Sequence, residues 1–310
     1  MVIWKLTSSG ALDTSLSSDG VYTHNNAAGG NLHDQGNDIV VHSNGYMFVT
    51  GFSDQTATNR DMAIWKVAPP GFLDTTFSSD GIVTADGSAG GEDDIGNSII
   101  LDANNEILVA GRSDRPGNVA DMAVWKFSSL GAPHAGFNGT GVFTQNSAAG
   151  GNAFDTARDL VLDEVGDIYV TGYSRNVANN NDMVIWKLSA STGTLDQSFN
   201  STGYYVYNIV PAVNASVDDT GEAIAIDDSG NIMVVGTGNS DVAAWRITAE
   251  GVLDTSFNAD GIFLHDAAAS GFANDFGYGI YVDNKDGLLY MTGSSENPAG
   301  NFDMAVWRLD

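Results

Sequence analysis

The chain contains no cysteine. Disulfides and thiolate metal sites are excluded, while the compartment stays open. Basic residues are scarce: 12 Lys and Arg stand against 39 Asp and Glu, a formal net charge of −27. That charge repels nucleic acid and anionic membrane surfaces, so neither is expected as a partner. It suits a soluble, exposed or saline setting and attracts cations. Glutamate is rare among the acids, with six Glu to 33 Asp. Helix surfaces favour Glu, whereas Asp belongs to turns. With 37 glycines and only 6 prolines, the composition is turn-rich and of β type. No stretch approaches eighteen apolar residues, so membrane insertion by a helix is not expected. No export leader is seen either. The chain starts inside a repeat, which leads to the expectation that it was cut from a longer repeat protein. At 43% apolar and 10% aromatic residues it is too hydrophobic for a disordered chain.

What is abundant is repetition. Asp61 to Lys66 reads Asp-Met-Ala-Ile-Trp-Lys, and the segment returns at Asp121 to Lys126, Asp182 to Lys187, Asp241 to Arg246 and Asp303 to Arg308. Met1 to Lys5 is a sixth copy without the Asp. All six tryptophans sit in these copies, spaced 61, 60, 61, 59 and 62 residues apart. A fixed period of that size marks a repeat architecture.

The rest of each unit follows in a constant order. A Leu-Asp-Thr-Ser-Leu segment (Leu12 to Leu16) has counterparts at Leu73 to Phe77, Leu195 to Phe199 and Leu253 to Phe257; the third copy departs as Pro133 to Phe137. A Gly-led short strand comes next, as at Gly81 to Thr84, rich in β-branched and aromatic residues. Then comes a long loop of glycine, alanine and asparagine, with Ala-Gly-Gly at Ala28 to Gly30, Ala89 to Gly91 and Ala149 to Gly151. An Asp opens the following strand: Asp34, Asp94, Asp155, Asp219 and Asp275. That strand's apolar run, such as Ile99-Ile100-Leu101, suits burial on both faces. A tight polar turn reverses the chain, and the partner strand ends at a fixed glycine: Gly51, Gly111, Gly172, Gly236 and Gly293. A variable loop leads into the next tryptophan strand.

Four short strands per unit, in five full units without helical periodicity, predict an all-β fold: a β-propeller of five four-stranded blades of about 60 residues. The prediction covers residues 1–310 as one domain, closed by pairing of the N- and C-terminal strands. Double burial explains the tryptophan strand, with Met62 and Ile64 on one side and Ala63, Trp65 and Val67 on the other.

Asp219 to Gly236 resembles the bacterial SBBP-type propeller repeat, and Asp275 to Gly293 is similar. The Leu-Asp-Thr-Ser-Phe segment with its Gly-led strand resembles the delta-sixty repeat. The resemblance implies exported, extracellular or cell-surface proteins, often of unassigned function, and carries no catalytic motif. It also implies the strand order within a blade: apolar run innermost, then the Gly-ended strand, the tryptophan strand and the Gly-led strand. Both long loops then leave on one face, the expected binding face.

The candidate side chains read mostly as structure. The tryptophans are expected between blades. Each Lys or Arg after a tryptophan is expected to pair with a repeated Asp. The Asp ring at Asp34, Asp94, Asp155, Asp219 and Asp275, and the Asp before each tryptophan strand, are expected to bond turns or strand ends, because an active site needs one differentiated place. Calcium is possible at Asp93-Asp94 or Asp218-Asp219, while Asp283 to Gly287 only partly resembles a calcium loop. His24 and His265 read as surface repetition, and the five histidines are not at metal-ligand spacing. Asn138, Asn200 and Asn214 open glycosylation sequons. No residue is assigned a catalytic or metal-binding role.

Three functions are in view. The leading expectation is a non-catalytic scaffold or adhesion module binding a protein or glycan through the loop face. A polysaccharide hydrolase or lyase acting in the central funnel is the alternative, and it would have to break the repeat with singular polar residues. A structural subunit of a surface layer or fibre is the third. Six tryptophan strands against five of each other kind predict a conflict at closure. Val21 to Thr23 should complete the last blade, leaving one terminal strand displaced and free for head-to-tail self-association.

Overall fold

Among the described residues of the computed structural model there are 22 strands and no helix. Residues 31, 58, 88–91, 118, 209–216, 271–273 and 310 are not described, nor is the side chain of residue 153. The chain divides into two compact units, Met1–Thr144 and Gln145–Asp310.

The first unit holds β1 (Val2–Trp4), β2 (Val21–Thr23), β3 (Asp34–Val41), β4 (Met47–Thr56), β5 (Asn59–Ala68), β6 (Phe72–Leu73), β7 (Ile82–Ala85), β8 (Asp94–Leu101), β9 (Ile107–Arg115), β10 (Val119–Phe127) and β11 (Val142–Gln145), the last ending at its border. Its antiparallel runs are β1-β2, β3-β4-β5-β7 with β6 also on β5, and β8-β9-β10-β11. The second unit holds β12 (Gly150–Leu162), β13 (Ile168–Asn176), β14 (Asn181–Leu188), β15 (Tyr204–Tyr207), β16 (Thr220–Ile226), β17 (Ile232–Gly238), β18 (Asp241–Ile247), β19 (Ile262–His265), β20 (Asp275–Asp283), β21 (Leu288–Glu296) and β22 (Phe302–Leu309). Its runs are β12-β13-β14-β15, β16-β17-β18-β19 and β20-β21-β22. The strand order within each blade is the expected one. First strands of successive blades lie side by side, β3 with β8 and β12 with β16 with β20.

The two faces of the tryptophan strand are both used. Met62 and Ile64 pack with Ile99, Val109, Ala123 and Trp125 of the next blade. Ala63, Trp65 and Val67 pack the other way, with Met1, Ile3, Leu16 and Tyr22. The second unit repeats the scheme: Met183 and Ile185 meet Ala243 and Trp245, and Val242 and Ala244 meet Met291 and Trp307. Five tryptophans are thus buried. Trp4 is the exception at 64% exposed, because its strand begins the series and no blade covers that side within its unit.

The closure expected from sequence is not formed. β2 pairs with β1, Trp4 opposite Val21, in the register by which β7 pairs β5, Trp65 opposite Ile82. Lys5 N–H bonds the Gly20 carbonyl at 2.9 Å, as Lys66 N–H does that of Gly81. Val21 to Thr23 therefore does not complete the β20-β21-β22 sheet, and Met1 to Leu6 is a regular third strand rather than a displaced one. The physical reason is proximity: β2 follows β1 after sixteen residues, a short loop with a small closure cost.

The basic residue after each tryptophan has its acid in the first five copies. Lys5 meets Asp13 at 3.0 Å, Lys66 meets Asp74 at 3.0 Å, Lys187 meets Asp196 at 2.9 Å and Arg246 meets Asp254 at 2.8 Å. In the third copy His134 replaces that Asp, and Lys126 turns instead to Glu106 at 2.8 Å and Asp102 at 3.0 Å. Burial pulls the Lys126 pKa down, but its bonds to Glu106 and Asp102 outweigh that and hold it above the ordinary 10.5. Lys126→Met is expected to cost about 2–4 kcal/mol at pH 7, since it strands two carboxylates beside a buried site. A pKa raised by folding stabilises fully below the unfolded value and is lost as pH climbs through the folded one. The gap between parent and variant in urea melts should hold steady up to pH 10.5 and narrow only above it.

Candidate active site

Every first strand carries a β-bulge at the same place. The register slips between Gly36 and Asp38, Gly96 and Ser98, Ala157 and Asp159, Gly221 and Ala223, and Gly277 and Gly279. The extra residues are Asn37, Asn97, Arg158, Glu222 and Tyr278. The fixed glycine of the second strand has its reason here. A Cβ on Gly236 would run into the Thr220 carbonyl oxygen, and Gly51, Gly111, Gly172 and Gly293 face the same obstruction. Bulges re-aim side chains. This one presents its extra residue near the strand end that the long loop enters, and the residue changes from Asn in the first unit to three different types in the second. Here the repetition breaks. The signal was present in the sequence as a variable position three residues after each ring Asp, framed by invariant spacing.

In the first unit the row is occupied by cross-strand staples. Asn37 Nδ2 donates to the Gly96 carbonyl at 2.8 Å, and Asp38 Oδ2 accepts from Ile99 N–H at 2.8 Å and Ser98 Oγ at 3.1 Å. In the second unit Asp159 repeats the staple, accepting from Ile224 N–H at 3.0 Å. The bulge residues beside it do something else. Arg158 Nε lies 3.3 Å from Glu222 Oε2, and its guanidinium lies over the Tyr173 ring at 5.5 Å. Burial pushes the Glu222 pKa up, against the pull of Arg158 and of a bond from Thr220. Tyr278 is 57% exposed and stacks on Phe276 at 6.3 Å, which in turn meets the exposed Phe302 at 5.6 Å. A recessed carboxyl of raised pKa, a cation held beside it and an exposed ring therefore come from three neighbouring first strands of one unit. Raised carboxyls are what acid catalysis requires.

The Asp ring does what the sequence suggested. Asp34 accepts from Asn26 N–H at 2.6 Å, Asp94 from Gly87 at 2.8 Å, Asp155 from Ser147 at 2.9 Å and Asp275 from Ala267 at 2.8 Å. Asp219 accepts from Asn239 N–H, in the short variable loop, at 3.2 Å. The Asp before the tryptophan strand is also engaged, Asp121 with Arg115 at 2.8 Å and Asp182 with Asn176 at 2.8 Å. At the calcium candidates, Asp93 and Asp218 accept the N–H groups of Arg60 and Asn181, and Asp283 accepts that of Lys285 in a turn. His24 and His265 are half-buried rather than surface repeats; their Nδ1 atoms accept the indole N–H of Trp65 at 3.1 Å and of Trp307 at 3.3 Å. Asn138 and Asn200 spend their amide groups on turn carbonyls at 2.9 Å. Asn214 and the Ala89 to Gly91 loop core lie outside the described residues.

A cavity of about 230 Å³ opens elsewhere in the second unit, at the tight-turn end, between Asp227, Met233, Phe257 and Leu289. Its one cation, Arg246, is committed to Asp254 and Ser256 at 2.8 Å each. The differentiated residues are not there.

Residues 166–199 and 229–257 match the family model described as Domain of unknown function (DUF5122) beta-propeller. This supports a β-propeller family, without singling out the SBBP or delta-sixty type. No curated protein matches the chain. Among solved structures it is similar to a glucose dehydrogenase (7% identity, TM-score 0.50, 88% of this chain and 80% of that one). It is also similar to a thermostable family-43 glycoside hydrolase (14%, 0.48, 89% and 89%) and a gluconolactonase of Xanthomonas campestris (12%, 0.40, 87% and 71%). At these identities the likeness is one of fold. The expectation of a non-catalytic adhesion module is corrected by the bulge row, where the unbroken repetition on which it rested fails.

Proposed function

We propose that the chain is a carbohydrate-active enzyme, a hydrolase of neutral polysaccharide, with its chemistry on the bulge row of the second unit. The observation that carries this reading is the singular trio Arg158, Glu222 and Tyr278 in an otherwise repeating chain. Glu222 is the general acid, kept protonatable by burial. Tyr278 offers an exposed ring to a sugar face. The net charge of −27 disfavours polyuronate substrates and with them a lyase reaction. An extracellular or cell-surface setting goes with a polymeric substrate and with the repeat resemblance. The test is release of reducing ends from a panel of neutral polysaccharides. No release above the blank from any of them refutes the reading.

A second reading concerns assembly, and a separate observation favours it. The second unit leaves Met304 85% and Val306 60% exposed, on the face that in other blades receives a tryptophan strand. The first unit leaves Val2 40% and Trp4 64% exposed, the face that a Met/Ile face receives elsewhere. We propose that copies meet head to tail through these two faces, extending the blade series in place of the strand-paired closure. Sedimentation should give concentration-dependent oligomers for the parent chain and monomers for Trp4→Glu or Met304→Glu. A parent chain that stays monomeric at high concentration rules this out.

A further inference from the structure

The start of β18, the loop after β19 and the start of β20 bring three carboxylates together. Ligand oxygens of Asp241, Asp266 and Asp275 all lie within 4.8 Å of one another, forming the one such group among the described residues. The cluster alone would say little. Asp275, however, is only 1% exposed, and while its Oδ2 accepts Ala267 N–H at 2.8 Å, its buried Oδ1 has no hydrogen-bond partner. A buried carboxylate oxygen without a donor is costly and calls for a ligand.

The repeat provides an internal comparison. The position of Asp266 is held by Asn25, Asn146 and Asn208 in three other units and by Asp86 in the fourth. Asn208 shows what an amide does there: it hydrogen-bonds Asp182, the counterpart of Asp241. Asp266 has no side-chain N–H to give, so the same place carries a third negative charge.

We propose that Asp241, Asp266 and Asp275 bind a calcium ion. All three donors are hard oxygens, which suit calcium or magnesium rather than zinc or copper. Two oxygens on one calcium ion at ~2.3–2.6 Å can stand up to about 5 Å apart, whereas magnesium spans only about 4.2 Å. Spacings within 4.8 Å lie inside calcium's reach, and three carboxylates suit its flexible shell better than that of magnesium, which is usually held by one or two. The ion would tie the long loop after β19 to the starts of β18 and β20, next to the strand that carries Tyr278. This assignment stands independently of the hydrolase reading.

The test is thermal melting of the full chain, stripped of metal and titrated with calcium chloride, beside calorimetric titration of the same samples. Asp266→Asn is the decisive variant, since Asp266 is exposed and Asn is the residue three other units carry there. Asp286→Asn, an exposed acid in a turn, controls for general charge screening. The expected result is a saturable rise in Tm and a one-to-one binding heat for the parent and Asp286→Asn, both lost in Asp266→Asn. No saturable response in the parent overturns the site, and so does an equal response in all three proteins. Asp241→Asn, placed at the strand start, should reproduce the loss while keeping the parent's circular dichroism.

Discussion

Replacing Trp245 with alanine is expected to destabilise the protein by about 3–5 kcal/mol, the usual cost of emptying a large aromatic site. Trp245 is fully buried and packs among Tyr169, Met183, Ile185, Phe199 and Val234, so the hole opens between two blades with no solvent to fill it. Trp245→Phe should cost much less, about 1–2 kcal/mol. The indole N–H it removes has no hydrogen-bond partner, and the ring it keeps stays in contact with Tyr207, whose centroid lies 5.7 Å from that of the tryptophan. Trp65→Phe should be worse than Trp245→Phe, because it also strips His24 of its donor. Trp4→Ala, measured at a dilution where the chain is monomeric, serves as the control; exposed as it is there, it should stay within about 0.5 kcal/mol of the parent. Urea melts of the four variants check the ranking. Equal midpoints for Trp245→Ala and Trp4→Ala would mean that the tryptophan strand is not what joins the blades.

Glu222→Gln is expected to lower polysaccharide hydrolysis by about 10²–10⁴-fold with the fold unchanged, since Gln keeps the shape and loses the proton. The pH profile carries more information than the loss. A general acid works while protonated, so activity should fall as pH rises through the Glu222 pKa, which burial holds above the ordinary 4.5. Arg158 pulls that pKa down. Arg158→Gln should therefore move the alkaline limb to higher pH, whatever it does to the maximal rate. A Glu222→Gln variant that keeps most of the activity, or a limb that stays put in Arg158→Gln, would remove Glu222 from the acid's role.

How much of this was legible in the sequence depends on what repeats. Tryptophan spacing, the Gly-ended strand and the ring Asp each recur with their neighbours, and each has the structural duty that recurrence implies: inter-blade packing, clearance at the bulge, and capping of a long loop. The site was harder to read for the same reason. Glu222 and Arg158 look like ordinary surface charges in their strands; the fixed spacing marks their position as variable, but only the bulge aims them and places them at one register on neighbouring first strands. Asp241, Asp266 and Asp275 were not seen as one group because they come from the ends of two strands and a loop, 25 and 9 residues apart in sequence. The acids adjacent in sequence, Asp93-Asp94 and Asp218-Asp219, are spent on separate backbone donors.

The strand order within a blade came from the repeat resemblance; by itself, the sequence determined the class of fold and the two-sided burial of the tryptophan strand. Those follow from local periodicity and apolar pattern, which act over a few residues at a time. Only the tertiary structure decided the partner of Val21 to Thr23, the exposure of Trp4 and the meeting of Arg158 with Glu222. Each depends on which of several equivalent strands lies next to which. Near-identical repeats encode that choice weakly, because every copy offers the same complementary face and the short connection between neighbours settles it.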